Sequence, residues 1–185
     1  MKTHILQNGL TLLELIVAMA VLAIITSLAA PAMTGMIRGN ELRGDLNTLK
    51  SSIAFARTEA VSLKEQVALC ATTDATSCAT SSDWSAGWLI YVDKSGDGLL
   101  TTADCDPVVD CILRVQQGLN GQNTLYSSGA YLAFDSYGAL ATGSLSSLRL
   151  CAGNALASGD VDNSHEISVA SSGSARVKKG AATCS

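Results

Sequence analysis

The chain has 185 residues, of which 48% are apolar, 4% aromatic and 15% charged, and its formal net charge is −4 at pH 7. This composition excludes an intrinsically disordered chain, a collagen-like repeat and a strongly basic nucleic-acid-binding protein. The chain contains six cysteines, which at this size favour an oxidising compartment over the cytosol.

The N-terminal region consists of a short polar leader, residues 1–9, followed by an apolar segment, residues 10–33, whose one charged residue is Glu14. The apolar segment is longer than the roughly 20 residues that a helix needs to cross a bilayer. It is also too long for an ordinary secretory signal, although the small residues around Pro31 could imitate a conventional cleavage site. We therefore predict a single-pass transmembrane helix, with a conventional cleaved signal as the alternative.

The sequence from Gly9 to Glu14, GLTLLE, resembles the class III leader of type IV pilins and type II secretion pseudopilins. The resemblance implies that a prepilin peptidase cuts between Gly9 and Leu10 on the cytoplasmic side of the inner membrane and methylates the new amine of Leu10. It also implies that Glu14 is the functional carboxylate of the mature chain, and Pro31 matches a helix-kinking proline common in pilins. Leu10 departs from the Phe that is usual in the family.

The carboxylate of Glu14 is a candidate assembly group on physical grounds as well. An ionised carboxylate inside hydrocarbon is expensive, and by default it marks a function or a partner. The nearest conceivable partner is the amine exposed by leader removal, so we expect Glu14 to neutralise the amine of a neighbouring subunit while the apolar helices pack side by side. The alternative is a carboxylate that reaches the membrane interface from the end of the span.

Residues 34–65 continue the helical pattern, with most charged residues off one apolar stripe. The stripe recurs at intervals of four and three residues and predicts an amphipathic helix that docks on a globular head; its members are Leu42, Leu46, Leu49, Ile53, Ala56, Ala60 and Leu63. A coiled coil is the alternative. We predict one helix from Leu10 to Lys64, bent near Pro31 and roughly 80 Å long at about 1.5 Å per residue.

The head, residues 66–185, contains short β-rich runs separated by Gly, Ser, Asp and Thr, and no convincing long helix. The predicted strands are Val67–Ala71, Trp88–Val92, Ile112–Gln116, Tyr131–Phe134, Leu148–Cys151, Glu166–Ala170 and Ala175–Lys179. The predicted fold class is therefore α+β, a long N-terminal helix packed on an antiparallel β-sandwich-like head.

Five stretches of the chain resemble the GspH/FimT family of minor pilins and pseudopilins: Ala56–Ala60, Val67–Cys70, Trp84–Trp88, Phe134–Gly138 and Ile167–Gly173. Cysteine placement resembles the FimU-like minor pilins of the pilus branch. The resemblance implies a pilin fold and a structural subunit, partnered by other pilins, that helps initiate or cap a type IV pilus of the kind used in adhesion and motility. It also implies a periplasmic head on an inner-membrane helix, with a type II secretion pseudopilin as the alternative.

The cysteines are expected to form disulfides in the exported head. Spacing and family likeness together favour Cys70 with Cys78 and Cys151 with Cys184, which leaves Cys105 for Cys111. Zinc binding is the competing use, but no CxxC pair occurs and the spacings fit poorly.

Residues 93–104 form a calcium-type loop pattern with oxygen-bearing residues at positions 1, 3, 5, 9 and 12 and a main-chain carbonyl at position 7. The candidate ligands are Asp93, Ser95, Asp97, Leu99, Thr101 and Asp104. Against calcium, the twelfth residue is Asp instead of Glu, and a strand instead of a helix precedes the loop. Calcium is thus a possible ligand, no cofactor is required, and an acidic turn that extends a hairpin is the alternative.

Two further function classes have little support in the residues. His165 has no nucleophile motif near it and His4 belongs to the leader, so we predict no enzyme activity. Some FimT relatives are DNA receptors, and the resemblance places the DNA contacts at Arg176, Lys178 and Lys179. After residue 65 the chain has six basic and eleven acidic residues, a balance that opposes phosphate and favours the alternative of an edge strand guarded by charges.

Overall fold

A computed structural model of the protein describes residues 11–101, 111–153, 163–180 and 184, with only the backbone of residues 28–32. It contains one long helix and, within these ranges, eight strands. The helix is α1 (Leu12–Leu63), and the strands are β1 (Val67–Ala71), β2 (Gly87–Val92), β3 (Ile112–Gln117), β4 (Thr124–Ser127), β5 (Tyr131–Phe134), β6 (Ser147–Cys151), β7 (Ser164–Val169) and β8 (Ala175–Lys179).

Helix α1 has defined ends. Thr11 precedes it as the N-cap, because its Oγ1 accepts a hydrogen bond of 3.3 Å from the backbone N–H of Glu14. Lys64 follows it with a φ of 57°, the left-handed conformation that commonly ends a helix. These ends agree with the predicted helix, apart from Leu10, which lies outside the described residues. The helix continues through Pro31, and a bend there stays a prediction.

The chain divides into two compact units, Met1–Arg38 and Gly39–Ser185. The described part of the first unit is helical from Leu12 onward, and the second contains the rest of α1 and the strands. Within the described residues, no helix combines the length and apolar character that membrane crossing requires. The predicted transmembrane segment, residues 10–33, includes Leu10 and the side chains of residues 28–32, which lie outside the described part of the chain. Membrane insertion therefore stays a prediction.

The strands form two antiparallel four-stranded sheets, in the orders β3-β2-β1-β5 and β4-β6-β7-β8. This confirms the predicted α+β class. Strands β1, β5 and β8 have the predicted bounds, whereas β7 begins at Ser164, two residues before its predicted start. Strand β4 was not predicted; it pairs with β6 and places the buried Leu125 opposite Leu150.

The apolar stripe of α1 packs on the sheets, which excludes a coiled-coil partner for its buried members. Most of the stripe is buried and Leu46 is partly buried, but the last member, Leu63, is 43% exposed because α1 ends there. Each fully buried Leu or Ile contributes about 1.5–3 kcal/mol. The buried members of the stripe are Leu42, Leu49, Ile53, Ala56 and Ala60, and they share one core with Trp84, Trp88, Phe134 and Leu148.

The central strands of the first sheet, β1 and β2, are buried along their whole length. Because side chains alternate between the two faces of a strand, Val67 and Leu69 lie in the core shared with α1. Ala68 and Cys70 lie in a second apolar cluster on the opposite face. Loop residues including Cys78 cover that second face. Strands β1 and β2 are therefore enclosed on both faces of the sheet, which explains their near-continuous apolar character.

Candidate assembly surface

The first part of α1 exposes an unusual amount of apolar surface. Ten large apolar side chains between residues 12 and 25 are each at least half exposed: Leu12, Leu13, Leu15, Ile16, Val17, Met19, Val21, Leu22, Ile24 and Ile25. Contiguous apolar patches of this kind mark surfaces that become covered by a partner or by lipid. We call residues 11–27 the apolar segment of α1.

The hydroxyl groups of Thr26 and Ser27 in the apolar segment are satisfied within the helix itself. Thr26 donates to the carbonyl oxygens of Leu22 and Ala23 at 2.9 and 3.0 Å, and Ser27 donates to that of Ile24 at 2.7 Å. Burying these side chains therefore leaves no unpaired hydroxyl donor. Glu14 is the one charged residue of the segment, so it alone brings a charge that needs a partner.

Glu14 lies in the first turn of α1. Its backbone N–H is capped by Thr11, and the Thr-x-x-Glu spacing is that of a capping box. The partial positive charge at a helix N-terminus favours a carboxylate in this turn. Gly9 and Leu10, the predicted cleavage residues, lie outside the described residues. Thr11 was not singled out in the sequence analysis, although the capping-box spacing would have identified it.

Arg57 joins α1 to both sheets. Its Nε donates to the carbonyl oxygen of Gly138 at 2.8 Å, and its Nη2 donates to that of Ser172 at 3.1 Å. Gly138 follows β5 of the first sheet, and Ser172 lies in the turn between β7 and β8 of the second sheet. Gly173 has a φ of 77°, and a Cβ there would overlap the carbonyl oxygen of Gly138. Three of the stretches that carry the family resemblance therefore meet at one junction.

Asp45 is a second polar attachment of α1, and it is only 3% exposed. Its carboxylate accepts hydrogen bonds of 2.7 Å from the side-chain amides of Asn120 and Asn123, and it also accepts the backbone N–H of Asn120 at 3.2 Å. These asparagines lie in the loop between β3 and β4. Asp45 therefore fixes this loop to the helix.

We expect Asp45→Ala to lower the free energy of unfolding by about 2–4 kcal/mol, because buried amide donors lose their acceptor. For a chain of this size the melting temperature should fall by roughly 5–15 °C. Thermal unfolding of the full chain in a nonionic detergent, followed by circular dichroism, measures the change. Asp45→Asn keeps one acceptor oxygen and should fall between wild type and Asp45→Ala; equal stability of all three proteins would contradict this role.

The disulfides agree with the pairings that the sequence analysis favoured. Cys70 is bonded to Cys78 with a Cα–Cα separation of 5.6 Å, and Cys151 is bonded to Cys184 with a separation of 6.0 Å. Cys111 is also disulfide-bonded, and Cys105, its predicted partner, lies outside the described residues. The first bridge closes the loop after β1, and the second ties residue 184 to β6.

The carboxylate of Asp93, first residue of the calcium-type pattern, is fully buried. Its Oδ1 accepts the backbone N–H of Gly96 at 2.8 Å, and its Oδ2 accepts the N–H of Gly98 at 2.9 Å and the side-chain amide of Gln66 at 2.7 Å. Hydrogen-bond donors of the protein itself therefore occupy both carboxylate oxygens of Asp93 and hold the loop in place. This geometry supports the alternative of an acidic turn.

Among the other candidate calcium ligands, Ser95 contacts Asp93, because its hydroxyl donates to Oδ1 of Asp93 at 3.2 Å. Ser95, Asp97, Leu99 and Thr101 are exposed, and Asp97 accepts the backbone N–H of Leu99 at 2.8 Å. Asp104 lies outside the described residues. Across the described ranges, no group of three or more His, Cys, Asp or Glu side chains is arranged to hold a metal ion. Calcium binding stays a prediction.

The predicted DNA contacts lie on β8, an edge strand whose residues are all exposed. Arg176 pairs with Ser168 and Lys178 with Glu166, whereas Lys179 pairs with His165. Because successive strand residues point to opposite faces, Arg176 and Lys178 share one face and Lys179 belongs to the other. The structure therefore does not bring the three basic side chains together as one phosphate site.

Two protein families match this chain. The family described as "Type II transport protein GspH" matches residues 45–173, and the family described as "Prokaryotic N-terminal methylation motif" matches residues 6–30. No curated protein matches the chain.

Two crystal structures of the type IV minor pilin FimU from Pseudomonas aeruginosa are similar to this chain. The first is 21% identical with a TM-score of 0.57, and the match covers 79% of this chain and 96% of that chain. The second, in another crystal form, is 20% identical with a TM-score of 0.53, covering 77% and 99%. At this identity the likeness establishes a shared pilin-like fold.

Proposed function

This chain belongs to the GspH family of type II transport proteins, and from that premise we propose that it is a minor pilin that helps initiate or cap a type IV pilus. A member of this family is a pilin or pseudopilin, a structural subunit and not an enzyme. Prepilin peptidase and other pilin subunits are the partners that the methylation motif and the family imply. The inner membrane holds the chain through residues 10–33 before assembly, with residues 66–185 in the periplasm.

The observation that carries this proposal is the apolar segment of α1 with its single carboxylate. Ten exposed large apolar side chains, each worth about 1.5–3 kcal/mol on burial, supply a strong drive to pack against other helices. A charge entering such a bundle costs several kcal/mol unless it is paired. The amine of a processed neighbouring chain and Glu14 carry opposite charges, so their pairing removes both costs at once and sets the axial register of the helices.

The choice of a pilus over a type II secretion pseudopilus rests on cysteine placement. The bridges Cys70–Cys78 and Cys151–Cys184 fit the FimU-like resemblance of the pilus branch. A secretion pseudopilin would use the same helix and the same Glu14. Deleting the gene separates the two, because a pilin mutant loses surface pili and a pseudopilin mutant retains its substrates in the periplasm.

The proposal is tested by mass spectrometry of the intact wild-type chain extracted from membranes. We expect a chain that begins at Leu10 and carries one N-terminal methyl group. A chain that begins at or after Ala30 would identify a conventional secreted protein and contradict assembly through α1. A chain with residues 1–9 still attached would contradict recognition by the peptidase.

A further inference from the structure

Two basic side chains, His165 of β7 and Lys179 of β8, lie beside each other on the face of the second sheet that packs against α1. Arg43 of α1 is close enough for its charge to act on the His165 ring. His165 and Lys179 are direct cross-strand partners, and Leu150 of β6 is the partner of His165 on its other side. Leu150 belongs to the core shared with the stripe of α1, which identifies the face. We call these three residues the basic cluster.

No ion pair joins the basic cluster to a carboxylate within the described residues. The side chains of Arg43 and Lys179 make no hydrogen bond or ion pair there, and both residues are exposed. The Nδ1 atom of His165 is buried without a hydrogen-bond partner. Glu41 and Asp45 each lie two residues from Arg43 along α1, and Asp45 is bonded to Asn120 and Asn123.

The electrostatic effects on His165 also indicate neighbouring positive charge. Burial, the charge of Lys179 and the charge of Arg43 all lower the pKa of the His165 imidazole, in that order of importance. Glu166, the residue after His165, points to the opposite face with Lys178. Among the described residues, Lys179 and Arg43 therefore both disfavour the charged form of the ring, and a bound anion would offset that effect.

We propose that the basic cluster is a binding site for a compact oxyanion of the phosphate or sulfate type. Such an anion has several acceptor oxygens, and the guanidinium, ammonium and imidazole groups are the donors that bind it most strongly. Lys179 is exposed on an edge strand, which leaves the site open to solvent. The site shares no residue with the apolar segment of α1, so the proposed assembly does not use it.

Binding at this site is coupled to protonation of His165. An anion beside the ring favours the imidazolium form, so phosphate raises the pKa of His165 from its lowered value. By linkage, the protonated ring binds phosphate more tightly, and affinity falls as pH rises through the pKa of His165. In this equilibrium Lys179 of β8 and Arg43 of α1 act on the ring through their charges, and the apolar Leu150 of β6 is its strand neighbour.

The test is an NMR titration of the His165 ring with inorganic phosphate, using the full chain in a nonionic detergent at constant ionic strength. We expect saturable binding, a rise in the pKa of His165, and weaker binding at higher pH. Lys179→Ala should weaken phosphate binding by about tenfold, as should Arg43→Ala, because each removes a charge-assisted hydrogen bond. Lys178→Ala is the matched control, since it removes the same charge from the next residue on the opposite face.

Equal weakening by Lys178→Ala and Lys179→Ala would show general charge attraction and overturn the site. A titration without saturation would overturn it as well. Both readouts are independent of pilus assembly, so they stand apart from the tests of the proposed function. A second arm of the experiment adds short duplex DNA to the phosphate titration. If DNA competes with phosphate for Lys179, the anion is a phosphate group of the DNA backbone. If DNA does not compete, the anion is the free ion.

Discussion

Glu14→Val is expected to abolish incorporation of this chain into filaments while leaving leader removal and membrane insertion intact. The substitution makes the apolar segment of α1 more apolar, so insertion is not impaired. Assembly fails because the amine of the neighbouring processed chain must then enter the apolar bundle unpaired, at a cost of several kcal/mol. Immunoblotting of sheared filaments against the membrane fraction measures incorporation.

Thr26→Val is the matched control for this experiment. It also replaces a polar side chain of the apolar segment with valine, but the Thr26 hydroxyl bonds only to its own helix, so incorporation should be normal. Both variants should keep the disulfides and the melting temperature of the head, since residues 14 and 26 lie in the other compact unit. Normal incorporation of Glu14→Val would show that charge neutralisation by Glu14 is not required.

Gly9→Val is expected to block leader removal completely. The peptidase must accept a residue without a side chain at the scissile position, and valine places a branched Cβ there. The intact mass should then include residues 1–9 and lack the methyl group. Without a free amine at Leu10 the chain has no charge to pair with Glu14 of a neighbour, so piliation should fall together with processing.

Gly35→Val separates the cleavage effect from a general effect of replacing glycine in this region. Gly35 lies on α1, and a Cβ built on it meets no atom within 4 Å, so the variant should be processed normally. A Gly9→Val chain that still begins at Leu10 would show that the peptidase does not read this position.

The main features of the fold could be predicted because they depend on local periodicity. The stripe from Leu42 to Ala60 repeats at helical spacing, and β1 and β2 are apolar runs bounded by turn residues. Strand β4 escaped prediction because Leu125 is its one buried residue, which leaves no apolar run, and its structure is set by pairing with β6. Similarly, Ser164 and His165 belong to β7 because they pair with Cys151 and Leu150 of β6. The two residues are polar, so their local sequence does not indicate a strand.

The candidate site was only partly predictable for the same reason. Glu14 could be identified because a charge inside an apolar segment is anomalous by itself. Asp45 and Arg57 have ordinary helix-surface identities, and their roles arise from acceptors and donors more than seventy residues away in the chain. The division of β8 into two basic faces follows from strand alternation, yet it matters only once His165 is known to be the cross-strand partner of Lys179.

The two polar attachments of α1 also determine how the head bears mechanical load. Asp45 and Arg57 are twelve residues apart, which corresponds to roughly 18 Å along a helix. A pull along the axis of this part of α1 stretches both attachments and the apolar contacts between them simultaneously, in shear. A load directed away from the sheets would instead break them one after the other. The attachments of α1 therefore resist a force along the helix axis far better than a force that lifts the helix off the sheets.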